Sequence, residues 1–190
     1  MTPLTGKIIL FDTEFTAWEG SWQRNWSGPG EHRELIQIGA VLVDADHGFA
    51  ELAHFDVFVK PTINPHLSAY ITDLTGITQD MVDTQGFSVA DALAQFAAFC
   101  GDRPVYSYGN DADVLAENCT LNTLTLSVPA GGFHDVRTPL EAAGVKTSDY
   151  SSGTVHRAVG ANMDGHVHNA LFDVRSIAAA LRALRAHGKL

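Results

Sequence analysis

The sequence predicts an α/β fold in which a mixed five-stranded sheet is flanked by helices. Three strand patterns come first, strand and helix patterns alternate after them, and a long amphipathic helix follows near the end of the chain. Of the 190 residues, 45% are hydrophobic and 18% are charged, which is the ordinary balance of a globular protein. We therefore expect a single domain spanning residues 1–190.

The first three predicted strands form a continuous group. Residues 7–12 are a short apolar run ending in an acid, which is typical of a buried strand whose last residue emerges at the edge of a sheet. Residues 35–43 are apolar almost throughout, which predicts a central strand. Residues 53–59 alternate in polarity, which predicts a strand with one more exposed face. Three consecutive strands favour an antiparallel meander.

The remaining elements alternate between strands and helices. Ser88 and Asp91 have the spacing of a capping box, and Gly101 stands where the C-cap of that helix is expected. The last helix carries an apolar stripe at helical spacing. The elements that follow Gly101 are predicted at 103–108 (strand), 111–119 (helix), 133–136 (strand, then a helix) and 170–186 (helix).

This order of elements is the α/β arrangement of an RNase H-like fold. A doubly wound nucleotide-binding fold is the competing architecture. That fold would place a glycine-rich phosphate turn after the first strand, and none follows residues 7–12.

The net charge of −10 limits the kinds of partner that the chain can bind. Affinity for nucleic acid usually comes from Lys and Arg side chains that neutralise phosphates, so a broad phosphate-tracking groove is not expected. If the substrate is nucleic acid, bound cations and recognition of a strand end must supply much of the attraction. Part of the negative charge would then be metal ligands.

The cysteines and the apolar runs bear on localisation. Cys100 and Cys119 carry no partner pattern, which fits packing residues in a reducing compartment. No basic segment followed by an apolar core opens the sequence, and no apolar run approaches membrane-spanning length. We expect a cytoplasmic protein that makes no contact with a membrane.

Two acids close the first predicted strand. Asp12 and Glu14 are two residues apart, so both carboxylates can point to one side of an extended chain. Like charges this close repel strongly unless a cation lies between them, and oxygen ligands favour Mg²⁺ or Mn²⁺ over zinc. The alternative is that Asp12 caps a turn while Glu14 is solvated.

Three further side chains are candidates for the same site. Asp173 lies in the first turn of the last helix and His168 just before it, although both could be ordinary surface groups stabilised by the helix dipole. Asp111 and Asp113 begin the helix after the fourth strand. One of the two should face the site, and we favour Asp111, while the other fits an N-terminal helix acid.

The residues resemble the DEDDh exonucleases of the DnaQ-like, RNase H-like superfamily. FDTEFT resembles the first exonuclease motif, GNDADVL the second and HNALFDV the third, in the expected order from about residue 7 to about residue 185. ELIQIGAV is similar to the second strand of the family, and LTGIT at 74–78 to a recurrent turn beside its active site. In many relatives the second-motif acid stands three residues after the glycine rather than two, which is why Asp113 stays an alternative.

The resemblance implies a metal-dependent 3′→5′ exonuclease that hydrolyses single-stranded nucleic acid with two divalent cations, Mg²⁺ or Mn²⁺, and releases 5′-mononucleotides. Asp12 would bridge both ions, Glu14 and Asp173 would complete one ion site, and Asp111 would serve the other. His168 would be the general base. The Eri-like character of LTGIT and the many RNA-trimming members favour RNA slightly over DNA. Relatives often pair, so a homodimer is also expected as one option.

The resemblance also suggests where a terminal nucleotide would rest, at Thr13, Phe15, Leu74, Thr75 and Gly76.

The stretch 16–34 is longer than the corresponding connection in minimal members. Trp18, Trp22 and Trp26 would share one face of a helix at their spacing, which favours core packing, with Trp18 a lesser candidate for base contact. His166 and His168 form an H-x-H pair, but no third clustered ligand supports zinc.

Three other functions fit the same residues. The chain could be a proofreading subunit that acts in a polymerase complex, a catalytically silent nucleic-acid-binding module, or a phosphodiesterase for a small nucleotide. A mere binding module has no use for a mutually repelling acidic cluster, which disfavours the second.

Overall fold

The computed structural model describes residues 4–190, and its elements confirm the predicted α/β fold. The strands are β1 (Lys7–Phe15), β2 (Leu35–Asp44), β3 (Ala50–Phe58), β4 (Val105–Ser107) and β5 (Phe133–Asp135). The helices are α1 (Ala69–Thr75), α2 (Gln79–Gln85), α3 (Val89–Cys100), α4 (Asp111–Leu121), α5 (Arg137–Ala142) and α6 (Ala170–Ala186). Short 3-10 helices occupy Thr147–Asp149 and Val155–Val159. Within this range, no helix is long and apolar enough to cross a membrane.

The five strands form one mixed sheet in the order β3-β2-β1-β4-β5. β1, β2 and β3 pair antiparallel as the predicted meander, while β4 joins β1 and β5 joins β4 in parallel. β1 is therefore the central strand. Its last residues lie at the edge where the parallel strand β4 also ends, so groups that follow β1 and β4 meet there.

Side chains of β1 alternate between the two faces of the sheet. Ile8 and Leu10 pack in the core beneath α6, whereas Ile9 and Phe11 pack in the core beneath α3 and α4. This is the period-two pattern of a strand buried on both faces. The same alternation predicts the face of the sheet on which each following residue of β1 lies.

Helix α6 is fixed to the sheet at its first residues by β2. A Cβ on Gly39 would lie 2.4 Å from the backbone nitrogen of Leu171, so the helix approaches the strand more closely than any other residue would permit. The buried side chain of Gln37 accepts a hydrogen bond from the Ala170 N–H at 3.0 Å and donates to Asp56 Oδ1 at 2.8 Å. These contacts fix the distance between the first turn of α6 and β2.

Two local predictions need correction, the bounds of the third strand and the helical spacing of the tryptophans, whereas the predicted turn at LTGIT lies between two helices. The third strand begins at Ala50 and ends at Phe58, earlier than the predicted 53–59. LTGIT is the junction of two helices: Gly76 ends α1 in the left-handed conformation (φ 73°), and Thr78 caps α2 through its side chain. Residues 19–26 form consecutive turns, because Asn25 and Trp26 both have φ near 50°, which a right-handed helix does not allow.

Candidate active site

Asp12 and Glu14 lie on the α6 face of β1. They continue the Ile8 and Leu10 side of the strand, and both are buried, with 6% and 7% of their surface exposed. The strand carries its polar residues into the interior at the end where α4 and α6 begin. The extended geometry inferred from the sequence therefore places both carboxylates on one side.

Asp111 comes to the same region from the opposite face. Thr13 continues the Ile9 and Phe11 side of β1, which faces α4, and its backbone N–H and hydroxyl donate to Asp111 Oδ1 at 3.0 and 2.6 Å. Asp111 is buried at the first position of α4, whereas Asp113 is exposed. Of the two candidate acids, the structure brings Asp111 to the cluster.

Asp173 reaches the cluster from the first turn of α6, which Asn169 caps by accepting the Phe172 N–H at 3.1 Å. Its carboxylate accepts from the Ser152 hydroxyl at 3.1 Å on Oδ2 and from the His168 N–H at 3.2 Å on Oδ1. A Cβ on Gly153 would stand 2.4 Å from the same Oδ1. The segment Ser152–Gly153 therefore fits closely around this carboxylate.

The four acids repel one another in a buried environment. Burial, followed by the charges of Asp111, Asp173 and Glu14, raises the pKa of Asp12 well above its ordinary value. Burial, followed by the charges of Asp173 and Asp111, does the same for the pKa of Glu14. Burial also raises the pKa of Asp111 to about 6 and that of Asp173 to about 7, against the hydrogen bonds that each accepts. A bound cation would reverse these shifts.

His168 stands at the edge of this cluster in a left-handed backbone conformation, with φ of 69°. Such a conformation is strained for a residue with a side chain, and it is most often found at functional sites. Burial, and secondarily the charge of His166, lowers the pKa of His168. Ligand atoms of Glu14, His168 and Asp173 lie within 4.8 Å of one another, close enough to share one metal ion.

His166 has a different environment from His168. Its Nε2 lies 3.0 Å from the carbonyl oxygen of Leu74 at the end of α1, so the ring faces that helix. The H-x-H pair therefore does not converge on one point.

A cavity of about 440 Å³ opens above the acids. Of the predicted nucleotide contacts, Thr13, Phe15 and Leu74 line it, although both donors of Thr13 are already occupied by Asp111. The other three lie outside the described lining. The Thr75 hydroxyl donates to the Ile71 carbonyl within α1, and Gly76 caps that helix.

Trp18, the third of these, is not among the lining residues of the cavity, and its contact with a base stays a prediction. Trp22 and Trp26 line it instead, because the turns at 19–26 bring them to its wall. The core-packing interpretation fails for Trp22, which is 65% exposed.

Several cavity residues carried no readable signal in the sequence. Four residues that the sequence motifs did not single out line the cavity, namely Arg33, Tyr108, Arg137 and Ser152. Arg137 pairs with Asp135 at 2.6 Å. Only Ser152 among them touches the acidic cluster directly.

The donor set fits divalent cations that prefer oxygen. Four carboxylates offer the oxygen ligands that Mg²⁺ or Mn²⁺ prefers, and the raised pKa values agree with a cluster that a positive charge would stabilise. Asp12, Glu14, Asp111 and Asp173 are the residues that would hold such ions.

A mixed sheet with buried carboxylates at the end of its central strand defines the class of RNase H-like nuclease domains. The family model RNase_T, described as Exonuclease, matches residues 9–181, so the chain belongs to this exonuclease family. The nuclease domain of 3′hExo, a DEDDh family member bound to rAMP, has a TM-score of 0.82 with this chain at 26% identity, over 98% of this chain and 96% of that one. This likeness confirms the DEDDh resemblance.

Sequence relatives match shorter stretches. The 3′-5′ exonuclease Snipper of Drosophila melanogaster is 38% identical over 89 residues, which are 47% of this chain and 30% of Snipper. The ERI1 exoribonuclease 2 of Danio rerio is 42% identical over 77 residues, which are 40% of this chain and 12% of that protein. The matches thus cover less than a third of either relative. Cell-death related nuclease 4 shares the fold, with a TM-score of 0.77 at 17% identity over 97% of this chain and 65% of that one.

Proposed function

We propose that this chain is a 3′→5′ exonuclease that hydrolyses the terminal phosphodiester bond of single-stranded nucleic acid and releases 5′-mononucleotides. One observation carries the proposal. Four carboxylates from β1, α4 and α6 converge at the floor of an open cavity, with the imidazole of His168 beside them. A purely structural role would not explain four buried acids whose charges oppose one another.

The positions of the acids support the roles that we propose for them. Asp12 is central, since the charges of the other three acids all act on it, and this suits a ligand shared by two ions. Glu14 and Asp173 lie on the side of His168, and Asp111 lies on the side of α4. When bound, two divalent ions activate a water and stabilise the departing 3′ oxygen.

His168 is the residue that accepts the proton of the attacking water in this proposal. Its lowered pKa keeps the imidazole neutral at physiological pH, so a lone pair is free to take the proton. The backbone N–H of His168 donates to the Asp173 carboxylate. This hydrogen bond fixes the loop that carries the imidazole relative to one predicted metal ligand. His168 is therefore proposed as a base, although its distance to Glu14 and Asp173 would also allow it to bind an ion.

RNA is the favoured substrate of this proposal. The names of several relatives specify RNA, among them ERI1 exoribonuclease 2 and 3′-5′ exoribonuclease 1, and the similar 3′hExo domain was solved with rAMP. Phe15 and Leu74 line the cavity next to the acids, where they can enclose the terminal base. The net charge of −10 agrees with recognition of a strand end rather than of a long duplex.

The direct test is a product ladder. Purified protein is incubated with 5′-labelled single-stranded RNA, single-stranded DNA and blunt duplexes, with Mn²⁺, with Mg²⁺ or with EDTA. We expect stepwise shortening from the 3′ end, dependent on metal, with RNA degraded faster than DNA and blunt duplexes slowest.

Asp12→Asn is the matched control, because it changes one oxygen of the cluster and little else. Degradation that persists in Asp12→Asn would point to a contaminating nuclease. Absence of degradation of every oligonucleotide by the unaltered protein would reject the proposal in favour of a silent binding module. Hydrolysis confined to mononucleotide esters would identify a phosphodiesterase for small nucleotides.

A further inference from the structure

An aromatic wall runs from the acids to the mouth of the cavity. It consists of Phe15, Trp26 and Trp22, in that order. Phe15 follows Glu14 directly, its ring centroid lies 5.5 Å from that of Trp26, and Trp26 lies 5.1 Å from Trp22. Both contacts are edge-to-face, with interplanar angles of 63° and 68°. The wall ends in Trp22, which the solvent reaches.

Trp22 is unusual among the exposed apolar side chains. Of the large hydrophobic residues that are exposed within residues 4–190, it is the most exposed, at 65%, and the one that lines the cavity of the acids. An exposed tryptophan at the rim of a concave polar site is typical of ligand contact, because burying its ring requires a partner. Core packing does not account for its position.

The backbone that presents Trp22 is held in a strained form. Asn25 and Trp26 have φ of 50° and 51°, and two consecutive left-handed residues with large side chains are uncommon. The Trp26 N–H donates to the Ser21 carbonyl at 3.0 Å, and its indole Nε1 donates to the Thr16 carbonyl at 3.0 Å. These contacts fix the loop, and strain of this kind persists where the surrounding structure and a function require it.

Arg33 completes the wall with a positive charge. Its guanidinium carbon lies 6.0 Å from the ring centre of Phe15 and 5.9 Å from that of Trp26, and its Nε donates to Glu117 at 2.7 Å. Aromatic faces beside an arginine bind successive unpaired bases without reading their sequence. Stacking also needs little positive charge, which suits a chain whose net charge is −10.

We propose that Trp22 stacks on the base of the penultimate nucleotide, so that the enzyme selects unpaired 3′ ends of at least two nucleotides. This inference rests on the proposed exonuclease function. Phe15 follows Glu14 directly and serves the terminal base, whereas Trp22 lies beyond Trp26 at the exposed end of the wall, next in line for a second base. A base held in a duplex cannot present its face to Trp22 without unpairing.

The test combines a change in the protein with a change in the substrate. Unaltered protein, Trp22→Ala and Trp22→Phe are assayed on a short RNA and on versions that lack the base at the terminal, penultimate or third position. For the unaltered protein, removal of the penultimate base should lower kcat/KM about ten-fold, as expected for the loss of one stacked base. Trp22→Ala should already have this lower kcat/KM on the intact RNA, and removal of the penultimate base should lower it no further.

Trp22→Phe keeps a ring and should recover most of the activity. Phe87→Ala is the matched control for loss of an exposed aromatic side chain, since Phe87 is 41% exposed and lies outside the described lining of the cavity. The inference would be overturned if the effect of Trp22→Ala depended on the terminal base alone, or on none of the three bases.

The same cycle is measured as binding, by fluorescence anisotropy of labelled RNA in Ca²⁺. This separates the two proposals. If the unaltered protein hydrolyses no RNA while the penultimate base and Trp22 remain coupled in affinity, the exonuclease function fails and the stacking site stands. If RNA is hydrolysed but Trp22→Ala matches the unaltered protein in both measurements, the stacking site fails alone.

Discussion

Two regions of the active site, strand β1 and the segment 151–168, differ in construction. Asp12 and Glu14 lie on β1, the central strand, whose neighbours on both sides fix its position. Ser152, Gly153 and His168 lie between residues 151 and 168, a stretch whose one regular element is a five-residue 3-10 helix. The regular region supplies metal-type ligands, and the irregular region supplies the groups that contact Asp173 and place the imidazole.

This difference separates two kinds of effect. Substitution on β1 removes a ligand without moving the backbone, so its effect should be complete. Substitution in the segment 151–168 changes how a ligand or a base is oriented, so its effect should be graded.

Asp12→Asn should abolish exonuclease activity and weaken Mn²⁺ binding most strongly, because Asp12 is the acid on which the three other charges act. Activity is measured on single-stranded RNA and Mn²⁺ affinity by calorimetry. Without metal, the variant should unfold at a higher temperature than the unaltered protein, since one repelling charge is gone. A large drop in melting temperature would instead make Asp12 a structural residue.

His168→Ala should lower kcat by about 10² to 10⁴-fold, the usual contribution of a general base, with Mn²⁺ affinity nearly unchanged. The comparison variant is Glu14→Gln, which should lose activity and metal affinity together. Equal losses of Mn²⁺ affinity in the two variants would show that the imidazole is an ion ligand, which its distance to Glu14 and Asp173 permits.

Gly153→Ala should lower Mn²⁺ affinity and kcat by about 10 to 100-fold, the usual range for changes behind a metal ligand. The added methyl group would meet Asp173 Oδ1 at 2.4 Å and displace the carboxylate. Ser152→Ala removes one hydrogen bond to Asp173 and should have a smaller effect of the same kind.

Ser151→Ala is the control for both variants, because the Ser151 hydroxyl is paired with that of Thr154. Equal losses of Mn²⁺ affinity in Ser151→Ala and Gly153→Ala would contradict the graded effects expected in the segment 151–168.

The smallest expected effect concerns stability without metal. Asp173 has a folded-state pKa of about 7, above its ordinary value of 3.8, so the folded protein retains this proton as the pH rises and loses stability between these values. In EDTA, Asp173→Asn should therefore unfold at a temperature at least about 2 °C above that of the unaltered protein at pH 8, which for a domain of this size corresponds to a difference of at least roughly 0.5 kcal/mol. At pH 4 the advantage should vanish.

Saturating Mn²⁺ should reverse the order of stability at pH 8, because the ion binds the folded protein and needs the carboxylate. A difference in Tm that does not change with pH would mean that the cluster is solvated rather than buried. Differential scanning calorimetry across this pH range makes the comparison.

The sequence was most informative where regular periodicity and chemistry coincide. Asp12 and Glu14 close an apolar strand, and strand geometry alone places their carboxylates on one face, as the structure shows. Asp173 falls in the first turn of a helix whose apolar stripe was readable, and that stripe fixes which side of α6 faces the sheet. Position on a regular element could therefore be predicted for these acids.

Prediction was weakest in the irregular segments. The spacing of Trp18, Trp22 and Trp26 fits a helix, but consecutive left-handed residues form turns there. Asn25 is a residue type that tolerates this conformation, whereas nothing in the sequence signals it at Trp26. Ser152 reaches Asp173 across 21 residues of sequence, and such a contact has no local pattern. Asp111 and Asp113 differ by two positions on one helix, and the bond that distinguishes them comes from Thr13, 98 residues away.

Gly39 lies outside the acidic cluster, yet it determines the position of one of the four acids. Because hydrogen takes the place of a methyl group there, the first turn of α6 rests directly on the backbone of β2, and the carboxylate of Asp173 sits at the depth of its partners on β1. Any larger residue at this position would push α6 away from β2 and move Asp173 away from the other three acids. A nuclease of this design could be silenced without altering a single titratable group.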